Sequence, residues 1–246
     1  MDLLKTLGAA GTLFIAQAET VESPTGDGSI LTLIEKGGLA MYPLIIFSIL
    51  AIALIIERVI FWSKVQKETP IFVAEVLNTY KRKSLDAALK VCEEYKALPI
   101  ARIFGAAFRL GETDEDQFRL AMESATSAEV PELRKWTTLF DTIITASPLI
   151  GLVGTITGLI KALSSINLGA VTSTSEASNV TGGIGEALIA TATGITVALL
   201  TLLITNVFRS LYNRQIAIIG QYSGELEIIH RKRSEASDYA PTTPIR

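Results

Sequence analysis

One carboxylate inside an apolar run is the residue of this chain best placed to do chemistry. Glu186 lies near the start of the apolar block at residues 184–207, within TGGIGEALIATATGITVALLTLLIT. An ionisable group inside a membrane span costs at least about 2.5 kcal/mol at the centre, so its presence marks a candidate for ion handling. Glu186 is only a few residues inside the block, and an interfacial carboxylate is the equally weighted alternative. Gly182, Glu186, Ala190, Gly194 and Ala198 recur at steps of four and form a small face with one carboxylate on it. Thr193, seven residues after Glu186, shares nearly that face, whereas Thr191 is turned away.

A second apolar block carries the complementary pattern, ASPLIGLVGTITGLIKAL. Gly154 and Gly158 form a GxxxG pair, and Gly151 and Thr155 continue the small pattern. Small residues let helix backbones approach closely where no hydrophobic force between helices exists, and packing alone accounts for these glycines. Thr155, Thr157, Thr191, Thr193 and Thr196 each donate and accept a hydrogen bond. Together they could organise water in a narrow proton path; the bland alternative is that each bonds back to its own helix. Lys161 and Glu186 both lie toward one end of these blocks and could pair. Pro148 is expected to bend the second block, with Ser147 beside it to satisfy the backbone group that it frees.

Other chemistry is excluded by composition. One cysteine, Cys92, rules out a disulfide scaffold, and one Cys with one His makes a zinc site untenable. A net charge of −3 gives no pull on nucleic-acid phosphates. No nucleophile–base constellation is present, so no enzyme and no cofactor are expected. Charged residues make up 19% of the 246, against roughly 25% in a soluble domain. Mean hydropathy is +0.41. These values point to a membrane.

The elements that must position Glu186 and the threonines are apolar helices. The first block, residues 39–62, has the core LIIFSILAIALII and ends in Glu57-Arg58. With the blocks at 137–166 and 184–207, each is close to the roughly 20 residues that span hydrocarbon as a helix. Lys and Arg number two in residues 1–38, twelve in 64–136, none in 167–183 and six in 208–246. By the positive-inside bias, residues 63–136 and 208–246 are expected in the cytoplasm, and 1–38 and the loop 167–183 outside. The N-terminal stretch 1–18 fits either a secretory signal peptide or a short amphipathic segment.

The segment 63–136 reads as a helical domain. Ser84 is placed as an N-cap, and Leu85, Ala88, Leu89 and Cys92 form one stripe behind it, which makes Cys92 a buried structural thiol. Gly111 stands at a helix stop, and Thr113 with Asp116 forms a capping box. The third span is expected to continue as a helix into the cytoplasm, with His230 solvated beside Arg231, Lys232 and Arg233 and the final residues disordered.

The order of one span, a helical insert of this size and two closely spaced spans, with LDAALKVCEEY…PIARI, VPELRKW, GLVGT and GIGEALIATATG, resembles the ExbB/TolQ/MotA family of proton-channel subunits. The likeness covers about residues 38–210 and is greatest to the ExbB branch; MotA-like chains typically have four spans. The resemblance implies an all-α polytopic inner-membrane protein that assembles as a homopentameric ring. Its second and third spans line a pore holding two copies of an ExbD-like single-span partner, which carries the titrating Asp. Proton passage would energise a TonB-like protein. The family's pore residues correspond to Thr155, Thr191 and Glu186; Thr191 enters by its motif, against the helical phase that favours Thr193. A TolQ-like role in envelope maintenance, a structural scaffold without conduction and a substrate transporter are the rivals. The transporter predicts an internal repeat, which the halves do not show.

Overall fold

The computed structural model describes residues 37–111, 113–164 and 174–238. The described residues form six helices: α1 (Met41–Arg82), α2 (Leu85–Glu94), α3 (Pro99–Phe108), α4 (Glu115–Leu133), α5 (Thr137–Ser164) and α6 (Thr174–Asp238). No strand occurs among them. Three helical stretches are long and apolar enough to cross a membrane, one in α1, one ending in α5 and one in α6. At a rise of about 1.5 Å per residue, α1 and α6 are about 63 Å and 98 Å long, two to three times the roughly 30 Å of bilayer hydrocarbon. Both therefore extend well past any span they make.

Each apolar stretch keeps a face of large exposed side chains. On α1 these are Ile46, Ile49, Ile52, Ile56 and Ile60; on α5 they include Leu152, Ile156, Leu159 and Leu163. Continuous apolar faces of this size are stable only against lipid or a neighbouring protein. In water they would be an aggregation liability.

The described residues divide into two compact units, one drawn from residues 37–43, 150–164 and 174–193, the other from the described residues of 44–149 and 194–238. The second unit holds an aromatic core. Phe72 contacts Phe104, Tyr80 contacts Phe108, and Phe108 contacts Phe118, with ring centroids 4.8–6.1 Å apart. Trp62 is also buried, at 1% exposure. Pro99 opens α3, where its missing N–H leaves nothing unpaired. Most of α3 is buried, so a segment with one apolar face on paper is enclosed on several sides. Ser84 caps α2 by accepting from the Ala87 amide at 3.3 Å. Ala88 and Cys92 are buried and Leu85 and Leu89 half-buried, as the stripe requires. Burial pushes the Cys92 thiol up to about 12. Arg102 reaches from α3 to Glu129 on α4, Nε to Oε1 at 2.7 Å, and this hydrogen bond raises the guanidinium above its usual value.

Four expectations are corrected. His230 is not solvated: it is 5% exposed and stacks on Phe118 with centroids 4.0 Å apart. Its Nδ1 lies 2.7 Å from the Tyr80 hydroxyl and its Nε2 2.9 Å from the Thr113 carbonyl. The capping box is not formed, because α4 starts one residue later than that reading needs. Asp114 takes the cap position, and the Thr113 hydroxyl donates to the Gly111 carbonyl instead. The loop assigned to 167–183 is helical from Thr174 onward. The helix α5 runs through Pro148, and Ser147 donates to the Ile143 carbonyl at 2.7 Å rather than pairing the group that proline frees. The signal-peptide reading of 1–18 and the disordered ending fall outside the described residues.

The break between α4 and α5 is a three-residue turn. Trp136 closes it with φ 68, a left-handed backbone that a bulky side chain adopts rarely. The Phe140 amide donates to the Trp136 carbonyl at 3.0 Å, so α5 starts directly from the strained residue.

Candidate functional site

Within the first unit, α5 and α6 meet through their smallest residues. A methyl group placed on Gly154 would sit 2.7 Å from the Ala190 Cβ and 2.8 Å from the Ala40 Cβ. One on Gly158 would sit 2.8 Å from the Gly183 carbonyl oxygen, and one on Gly151 2.9 Å from the Thr191 Cα. All three are closer than real Cβ atoms approach, so the contact requires glycine. This is the packing that small residues permit in a bilayer.

The closeness lets a side chain on one helix reach the backbone of the other. The Thr191 hydroxyl donates to the Gly151 carbonyl at 2.9 Å. Thr193 instead donates to Ile189 within its own helix at 2.9 Å. Helical phase therefore pointed to the less engaged of the two. Thr155 bonds back to Leu152 at 2.7 Å, and Thr157 to Val153 and Gly154. Each of these hydroxyls still has lone pairs with which to accept from water.

Glu186 is held from two sides. Lys161 Nζ lies 3.0 Å from its Oε1. The carboxylate also abuts the turn before α1: a Cβ built on Gly38 would collide with it, and Gly38 has φ +65. The left-handed backbone favours glycine there, and the flexible end of the Glu186 side chain fills the space that a Cβ would take. The Glu186 side chain is 25% exposed and that of Lys161 61%. Their pair is half-wet, so in water it would contribute little.

The contacting stripe on α6 is Gly183, Ala187, Ala190 and Thr191, not the four-step series through Gly182 and Glu186. Gly182 has nothing within 4 Å of a built Cβ. A step of four drifts about 40° around a helix of 3.6 residues per turn, so such a series winds off any one face. Alternating steps of four and three stay on it, and Gly183, Ala187 and Ala190 do so. Gly194, expected in the packing set, is buried. Gly38 was the residue sequence reasoning missed; an isolated Gly-Gly before an apolar run was its only signal. No cluster of three His, Cys, Asp or Glu suited to a metal occurs among the described residues.

Three long apolar helices, two of them in backbone contact through glycine and alanine, define a polytopic membrane protein built for close helix association. The description "MotA/TolQ/ExbB proton channel family" matches residues 96–221. The chain is 48% identical over 207 residues to ExbB-like 3, a biopolymer transport protein of Synechocystis sp., covering 83% of this chain and 98% of that one. It is 39% identical over 197 residues to ExbB-like 1 of the same organism, covering 80% and 77%. The biopolymer transport protein ExbB of Salmonella typhimurium is 25% identical over 240 residues, 90% of this chain and 96% of that one. The chain belongs to the MotA/TolQ/ExbB proton channel family.

Proposed function

We propose that the chain is the ring-forming subunit of an inner-membrane proton channel that turns proton-motive force into mechanical work on a TonB-like protein. In this reading five copies enclose the single spans of two copies of an ExbD-like partner, whose Asp titrates. Thr155, Thr191, Glu186 and Thr193 border the path, and Gly151, Gly154, Gly158 and Gly194 set the helix spacing. The N-terminus lies in the periplasm, and residues 63–136 and 208–246 in the cytoplasm. The observation that carries it is the glycine-mediated α5–α6 contact with Thr191 bound to Gly151. It gives a stiff two-helix wall whose remaining faces, with the half-buried Thr155, are left for neighbours, water or a partner.

The test is native mass spectrometry of the complex extracted after co-expression with the neighbouring genes, followed by proton flux in reconstituted vesicles. A homopentamer retaining two copies of a small single-span protein, and loss of flux in Thr155→Ala with assembly intact, are expected. The back-bonded Thr155, Thr157 and Thr193 favour one rival, a scaffold that holds a partner's span without conducting. That rival predicts normal energy transduction in Thr155→Ala. A TolQ-like role shares the same pore and differs in the partner recovered.

A further inference from the structure

The second unit contains a cavity of about 330 Å³ between the helices α1, α5 and α6 and the turn before α5. Its wall carries four cations, Arg58, Arg134, Lys135 and Arg209, against one carboxylate, Asp141. Two of the cations are committed. Arg58, 2% exposed, is held by Glu57 and the Glu132 carbonyl, and Arg209 meets Asp141 at 2.5 Å. Of the other two, Lys135 is in a long ion pair with Glu132, 3.8 Å apart. Arg134 has no carboxylate within ion-pair range among the described residues and lies 5.7 Å over the Tyr212 ring. One cation of the wall, Arg134, is therefore left without a carboxylate to neutralise it.

A second observation points the same way. Thr205 lines the cavity and is 2% exposed, yet its hydroxyl has no hydrogen-bond partner. Thr201, one turn earlier, bonds back to Val197 at 2.7 Å, so the helix offers that option and Thr205 does not take it. A buried hydroxyl is left unpaired at a cost unless something else satisfies it.

Position and wall chemistry identify what that is. Arg58 closes the apolar block of α1, the turn before α5 opens the next block, and Arg209 follows the last. Cations and aromatic rings at the ends of spans lie at headgroup depth. Trp62, Phe140 and Phe208 supply apolar wall that a small soluble anion has no use for. We propose that this cavity binds the phosphate of an anionic phospholipid, with Arg134 and, beside it, Lys135 facing the phosphate and the acyl chains leaving along the aromatic wall. The proposal rests on these helices crossing a membrane and is independent of proton conduction.

The test uses the full-length protein, delipidated in detergent and titrated with phosphatidylglycerol or phosphatidylcholine under native mass spectrometry. A third arm adds inorganic phosphate as competitor. One phosphatidylglycerol retained per chain, in preference to phosphatidylcholine, is expected. Arg134→Gln removes a charge-assisted contact and is expected to weaken retention about tenfold. Lys135→Gln is the second variant, and circular dichroism checks that both keep their helix content. Equal retention of the two lipids overturns the proposal. So does unchanged phosphatidylglycerol binding in both variants, or its complete displacement by inorganic phosphate, which would mark a site for a soluble anion.

Discussion

The Thr191 hydroxyl donates to the Gly151 carbonyl from one apolar helix to another, 2.9 Å apart. The bond exists because no side chain at Gly151 keeps the helices apart. Thr191→Val keeps the shape and removes the donor, and is expected to cost about 1 kcal/mol, in the range of inter-helix hydrogen bonds in bilayers. Thr191→Ser is expected to restore most of that. Unfolding of the detergent-solubilised protein, followed by circular dichroism, reads the difference. Equal stability of the Val and Ser variants would show that the bond is incidental.

The spacing of the same two helices is set by glycine, and size is the variable to change. Gly154→Leu is expected to cost about 3 kcal/mol or more by overpacking against Ala190 and Ala40. Gly182→Ala, where a Cβ meets open space, is expected to leave stability unchanged or slightly raised. Oligomer size by native mass spectrometry separates the two, with only the first variant losing assembly.

His230 holds two buried partners at once, the Tyr80 hydroxyl and the Thr113 carbonyl. His230→Ala leaves both unpaired and opens a hole beside Phe118, and is expected to cost about 3 kcal/mol. His230→Phe keeps the stacked ring and loses only the hydrogen bonds, and is expected to cost about 2 kcal/mol. Thermal unfolding ranks them; a wild-type midpoint in His230→Ala would mean that this cluster adds nothing to stability.

Cys92 lies 3% exposed in the stripe of α2, and its thiol is held protonated well above the ordinary 9.0. Maleimide at neutral pH is therefore expected to label it only after unfolding. The pH dependence follows by linkage. Above pH 9.0 the unfolded thiol loses its proton while the native one keeps it until about 12, so the unfolded state binds fewer protons. Stability is expected to fall with rising pH across that window, and Cys92→Ala is expected to flatten the fall. An identical slope in the variant would assign the effect to other groups.

What could be read from residue order depended on how local the cause was. The three apolar helices, the Ser84 cap and the pairing of Lys161 with Glu186 follow from short patterns and charge. The phase of the α5–α6 contact was off by one residue at its start, Gly183 rather than Gly182, because a repeat of four was read as a straight stripe. Thr191 was recoverable only through its motif. His230 was misread outright, since its neighbours in sequence are cations, while its partners Tyr80 and Thr113 are 150 and 117 residues away. Gly38 escaped for the same reason: the carboxylate that lies against it belongs to Glu186.

The left-handed turn at Trp136 also gives the molecule an optical asymmetry. The chain has two indoles in opposite surroundings, Trp62 at 1% exposure and Trp136 at 36% beside the Lys135 ammonium. Their emission separates into a shielded component and one that a water-borne quencher can reach. Replacing either with Phe leaves a single reporter, one for the aromatic interior and one for the place where α4 turns into α5. The protein can thus be followed through solubilisation, reconstitution and partner binding without an attached dye.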